Sequence, residues 1–113
     1  MNFEQGDIVL MQYPHSDLSS KKKRPALVLS NSAFNVHQHD LITCLITSNL
    51  ENDPLGVIIE ARDLTTGSIP VTSRIKPYRI FTAERKIIEK KLGKISKQKL
   101  NETFKQIQKV FEE

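Results

Sequence analysis

Arg24 closes a run of four cations, Lys21, Lys22, Lys23 and Arg24, and Pro25-Ala26-Leu27-Val28-Leu29-Ser30 follows at once. A mobile basic loop that feeds a buried strand leaves an arginine at the junction, held by the strand and facing the loop. Guanidinium is planar, always charged and forked, which suits it to phosphate. Hydroxyls lie further on, at Thr47 and Ser48, after Leu45-Ile46. If the strands around residues 26–29 and 41–47 pair antiparallel, the end of the second lies beside the start of the first, and Arg24 and Thr47 become neighbours. A guanidinium beside a hydroxyl, with lysines and His15 nearby, would make a metal-free phosphate site. On spacing alone Thr47 fits a strand-end hydrogen bond as well, and Lys21, Lys22 and Lys23 fit a solvated loop tip.

These groups must be positioned by short strands. Residues 8–13 are apolar on both parities, as in a central strand buried on both faces. Pro14 ends it, and residues 15–23 are polar and aperiodic, a loop. Residues 26–29, 41–47 and 56–60 read as further strands, with polar connections at 31–40 and 49–54. Residues 61–72 contain Gly67 and Pro70 and read as an exposed excursion. Residues 73–82 alternate in part and read as a strand with cations on its open side, and Pro77 places it at an edge or a bulge. In residues 97–111, Leu100, Phe104, Ile107, Val110 and Phe111 share one helical face, and Ser96 is a suitable N-cap. Many short strands followed by one helix predict a mainly β (α+β) chain: a small β-barrel with a C-terminal α-helix, one domain over residues 1–113.

Composition narrows the class. The chain of 113 residues has room for one modest core. At 38% hydrophobic residues it is too apolar to be disordered and lean enough to bury further surface in an oligomer. Its net charge of +4 comes entirely from residues 84–113, with nine Lys and Arg against five Asp and Glu, since residues 1–83 carry eight of each. The overall basicity therefore does not argue for nucleic acid, and the local cluster at 21–24 is the better clue. The single Cys44, in Leu-Ile-Thr-Cys-Leu-Ile-Thr, reads as a buried thiol in a reducing, cytoplasmic setting. The N-terminus lacks the features of a signal peptide, and no stretch approaches the length of a membrane helix.

No His-Glu-x-x-His, cysteine pair, EF-hand loop or phosphate-binding glycine loop occurs. His37 and His39 flank Gln38 and would supply half of a metal site or simply be solvated. His15, at the mouth of the basic loop, could be a general acid or base or simply an exposed loop histidine.

Together, Gly6-Asp7-Ile8-Val9, Tyr13-Pro14, residues 23–30 and Ile46-Thr47-Ser48 resemble the MazF/PemK family of toxins from toxin–antitoxin pairs. Residues 73–82, Leu92-Gly93-Lys94-Ile95-Ser96 and the final helix extend the likeness over nearly the whole chain. The resemblance implies an SH3-like β-barrel with a C-terminal helix, a homodimer, and a sequence-specific, metal-independent endoribonuclease acting on single-stranded RNA without a cofactor. It implies a small antitoxin as partner, with DNA met only through that antitoxin, and no membrane. It also implies Arg24 and Thr47 as the catalytic pair. Ser48 and His15 are further candidates, His15 as proton acceptor, and Lys21, Lys22, Lys23, Lys76 and Arg79 are candidates for phosphate contact. Phe34, Tyr13 and Tyr78 are the aromatic platforms to consider for bases. A second reading is a non-catalytic toxin on the same barrel, such as the gyrase poisons. Those act through a tryptophan-containing C-terminal end, whereas this chain has no tryptophan and ends Val110-Phe111-Glu112-Glu113. A third is an inactive member that only binds RNA or antitoxin.

Overall fold

The computed structural model describes residues 1–12 and 23–113. Seven strands and two helices follow in the order β1 (Asp7–Gln12), β2 (Lys23–Val28), α1 (Ser32–His37), β3 (Asp40–Thr47), β4 (Val57–Ile59), β5 (Leu64–Gly67), β6 (Ser73–Glu84), β7 (Ile88–Ile95) and α2 (Lys97–Phe111). Short 3-10 turns precede β5 and β7. The strands form one sheet in the order β4-β6-β3-β2-β1-β7-β5. Every pairing is antiparallel, and the sheet curls into a half-barrel.

The apolar residues of both parities in β1 are explained by two cores, one on each face. Ile8 joins Leu27, Cys44, Ile46, Ile59, Ile75 and Ile95 on one face, and Leu100, Phe104 and Ile107 of α2 pack over it. Val9 and Met11 join Phe3, Ala26, Val28, Leu41, Ala83 and Ile88 on the other, with Leu45 and Phe81 partly buried against them. Ser96 caps α2 by accepting from the Lys99 N–H, which satisfies one of the free donors of the first turn. The helical face is shorter than its pattern, since Val110 and Phe111 are 43% and 75% exposed.

Two expectations are corrected. Residues 31–40 are not a plain loop: Asn31 accepts from the Phe34 N–H and caps α1. The helix is held by Asn35, whose buried amide donates to the carbonyls of Phe3 and Ser30. Residues 61–72 are not merely an exposed excursion, because they contain β5, which pairs with β7, and the buried Ile69. Gly67 permits that pairing. It has φ +72, and a Cβ there would overlap the Leu92 carbonyl oxygen.

Pro77 falls at a bulge, on a part of β6 that pairs with β3 but lies past its pairing with β4 at Ser73–Ile75. Cys44 faces Ile80, whereas Leu45 faces Lys76, so Pro77, Tyr78 and Arg79 bulge out of β6. A proline cannot donate to the ladder, and the bulge removes the demand.

Candidate functional site

The register of three strand pairs builds the site. Ala26 faces Leu45, Leu27 faces Cys44 and Val28 faces Thr43. Carried two residues outward, the same antiparallel register sets Arg24 against Thr47. Met11 of β1 faces Arg24 from one side, and Arg74 of β6 faces Thr47 from the other. Met11 pairs with Arg24 and Thr47 pairs with Arg74, and the register carried outward lines up these two pairs as one row across four adjacent strands. Because side chains alternate along a strand, Arg24 shares the face of Ala26 and Val28, and Thr47 that of Thr43 and Leu45. Both belong to the face opposite α2. The half-buried Arg24 takes part in none of the ion pairs among the described residues.

The Thr47 hydroxyl accepts from the Asn49 N–H at 3.1 Å. A hydroxyl also carries one proton that it can donate. Ser48 follows at the exposed strand end.

The connection from β3 to β4 starts at this hydroxyl and is tied down by β6. Asn49 Oδ1 accepts from the Glu51 N–H at 3.0 Å, and the Arg74 guanidinium donates to the Glu51 carbonyl. The Arg74 side chain lies where a Cβ on Gly56 would stand, so a larger residue there would have to push that side chain aside. Asp53 Oδ1 accepts from the Leu55 N–H at 3.1 Å. Asp53 Oδ2 accepts from the Tyr78 hydroxyl at 3.1 Å and pairs with Lys76 Nζ at 3.5 Å, and Lys76 donates to the Tyr78 oxygen at 3.2 Å. Burial pushes the Asp53 carboxyl up, but the Leu55 N–H, the Tyr78 hydroxyl and the Lys76 ammonium outweigh it and hold the group below its ordinary range.

The expected phosphate contacts separate accordingly. Lys76 is paired with Asp53, and Lys23 is paired with Glu89 at 2.8 Å, half-exposed. Arg79 stands exposed on the bulge and joins no ion pair among the described residues. His15, Lys21, Lys22 and Tyr13 lie outside the described residues. Phe34 is on α1, away from the row, while Tyr78 is beside it and 40% exposed. Cys44 is fully buried, and burial drives its thiol pKa upward, so it is inert packing.

His37 and His39 line a cavity of about 250 Å³ with Asn2, Phe3 and Arg85, whose guanidinium donates to the carbonyls of Met1, Asn35 and Gln38. Among the described residues no three His, Cys, Asp or Glu stand together as metal ligands. No described helix is long and apolar enough to cross a membrane.

Sequence reasoning paired Arg24 with Thr47 but missed Arg74 and Asp53 as parts of the site. The signal for Arg74 was parity: it alternates with Ile75 on a strand that pairs with β3. Asp53 carried no signal, because its partners meet it through the bulge.

Residues 4–111 match the model of a family described as the PemK-like, MazF-like toxins of type II toxin–antitoxin systems. No curated protein matches the chain in sequence. Among solved structures, the crystal structure of MazF from Deinococcus radiodurans is similar with a TM-score of 0.80 at 20% identity, over 97% of this chain and 96% of that one. A mycobacterial endoribonuclease in complex with its cognate antitoxin is similar with a TM-score of 0.74 at 20% identity, over 96% and 92%. A MazE–MazF complex from Deinococcus radiodurans gives 0.80 at 20% identity, over 97% and 96%. At this identity the structural likeness shows the fold.

Proposed function

This chain belongs to the PemK-like, MazF-like toxin family of type II toxin–antitoxin systems, and from that premise we propose that it is a metal-independent endoribonuclease that cuts single-stranded RNA at the Arg24–Thr47 row. The single observation that carries the reading is the antiparallel register of β2 and β3, which, carried outward from Ala26 and Leu45, brings Arg24 toward Thr47.

The ribose 2′-oxygen attacks the adjacent phosphorus and the bond from phosphorus to the 5′-oxygen breaks. The products are a 2′,3′-cyclic phosphate and a 5′-hydroxyl. The 2′-OH proton leaves to a base, and a proton reaches the departing 5′-oxygen, so the nucleophile belongs to the RNA. The protein's work is to stabilise a phosphorane richer in negative charge than the diester. Arg24 supplies a fork for its non-bridging oxygens. Thr47, already accepting from Asn49, donates its remaining proton to the phosphate or orients the 2′-OH. Thr47 is too weak a base to take the 2′-OH proton, and His15 is our candidate for that role. Arg79 and the cluster at 21–23 hold the backbone on either side.

The mycobacterial and Deinococcus structures pair such toxins with antitoxins. By the same reading this chain is a cytoplasmic single-domain protein, a homodimer, and is neutralised by an antitoxin that covers the row.

The test is digestion of a long transcribed single-stranded RNA in EDTA by the wild type and by Arg24→Ala, with the cut ends mapped. Discrete cuts ending in cyclic phosphate, made by the wild type alone, are expected. Equal cutting by a folded Arg24→Ala would remove Arg24 from the reaction. No cutting by either across varied RNAs would leave a binding protein on this fold.

A further inference from the structure

The knot of Asp53, Lys76 and Tyr78 sits one turn of chain away from the Thr47 hydroxyl, and an unbroken series of contacts links the two. Tyr78 and Lys76 hold Asp53 Oδ2. Asp53 closes the turn to Gly56 through its own carbonyl, which accepts from the Gly56 N–H at 3.0 Å, and through Oδ1 on Leu55. Arg74 lies against Gly56 and holds the Glu51 carbonyl. Glu51 donates to Asn49, and Asn49 donates to Thr47 Oγ1. Arg74 is also the strand neighbour of Thr47, so the series returns to its start.

A short polar connection of this kind would otherwise sample many conformations, and the hydroxyl would rotate with it. A reacting group displaced by about 1 Å costs on the order of 100-fold in rate. The Asp53–Lys76 pair is mostly shielded, with side-chain exposures of 12% and 24%, so its geometry is better defined than that of a surface ion pair. Its carboxylate also takes up the charge of Lys76, a cation that would otherwise be offered to RNA.

We propose that Asp53, with Tyr78 and Arg74, is a positioning set that fixes the Thr47 hydroxyl for the reaction and does not itself bind the substrate. This inference rests on the ribonuclease reading above and adds to it a role for the β3–β4 connection.

The experiment uses Asp53→Asn and, since that variant risks misfolding, Tyr78→Phe, which removes only the hydroxyl that donates to Asp53. Two quantities are read on folded protein. One is kcat and KM on a short oligonucleotide carrying a site mapped from the long transcript. The other is the χ1 rotamer of Thr47, from three-bond NMR couplings to its γ-methyl carbon. For Asp53→Asn, kcat should fall about tenfold, KM should be no higher than wild type because Lys76 is released, and the Thr47 couplings should average toward mixed rotamers. Tyr78→Phe should move both quantities the same way by less. A wild-type kcat, a raised KM, or unchanged Thr47 couplings in the variants would overturn the positioning role. Failure of the wild type to cut any RNA would overturn the ribonuclease reading instead, so the two failures are distinct.

Discussion

Replacing Arg24 separates charge from shape at the proposed centre. Arg24 is half-buried at the start of β2, and no carboxylate among the described residues neutralises it. A full charge added to the phosphate about 4 Å away, at an effective dielectric of about 20, interacts with it by about 4 kcal/mol. Arg24→Ala should therefore slow the chemical step by about 1000-fold. Arg24→Lys keeps a point charge and loses the second parallel hydrogen bond, about 1.5–3 kcal/mol for a charge-assisted contact. It should fall about 10- to 100-fold, between the other two. Neither change removes a core contact, so the urea midpoints should correspond to within about 0.5 kcal/mol of wild type. The assay is single-turnover cleavage of an oligonucleotide with excess enzyme, which isolates chemistry from product release. An alanine variant within tenfold of wild type would refute the electrostatic argument. A lysine variant no better than alanine would show that the fork, not the charge, carries the effect.

Three other outcomes follow from the geometry. Gly67→Ala meets both a positive φ and the Leu92 carbonyl and should cost about 2–4 kcal/mol in chemical denaturation, whereas Gly6→Ala, with φ +93 but ordinary contacts, should cost about 1 kcal/mol; equal losses would contradict the overlap. The folded-state pKa of Asp53 is depressed, so its contribution to stability is complete above the unfolded carboxylate range and is lost as pH falls through the lower folded value. Urea titrations from pH 6 to pH 2 should accordingly show a shallower decline for Asp53→Asn than for wild type. Cys44 is buried with its thiol driven toward the neutral form, and a thiol reagent at pH 8 should label it only in denaturant; rapid labelling of native protein would contradict its burial.

How far the chain could be read in advance depended on whether an element carried its own period. The helix over 97–111 was legible to the residue because Ser96 and the spacing of Leu100, Phe104 and Ile107 are local facts. β3 was legible because its β-branched run has no other use. The antiparallel pairing of β2 with β3 was legible through simple hairpin geometry. α1 was not, because its buried contact is the polar Asn35, which leaves no apolar stripe. β5 was not, because Leu64-Thr65-Thr66-Gly67 becomes a strand only by pairing with β7, about 30 residues away. The same distance effect hid Asp53, whose partners Lys76 and Tyr78 sit at the Pro77 bulge.

The place of β7 in the sheet has a consequence for how the protein is made. β7 is the last strand synthesised, yet it lies against β1, the first, with Asp7 facing Lys94 and Met11 facing Ile88. The second core draws Ile88 in beside Val9 and Met11. While β7 is still inside the ribosome, β1 has an open edge, and the row that begins at Met11 lacks support on that side. Completing the sheet must await contacts between β1 and β7, which are far apart in sequence, and this favours a slow, late transition over stepwise assembly. A chain cut short before Ile88 should show no cooperative unfolding by circular dichroism. A ribosome translating this stretch would then hold β1 to β6 as an inert segment until β7 had been built.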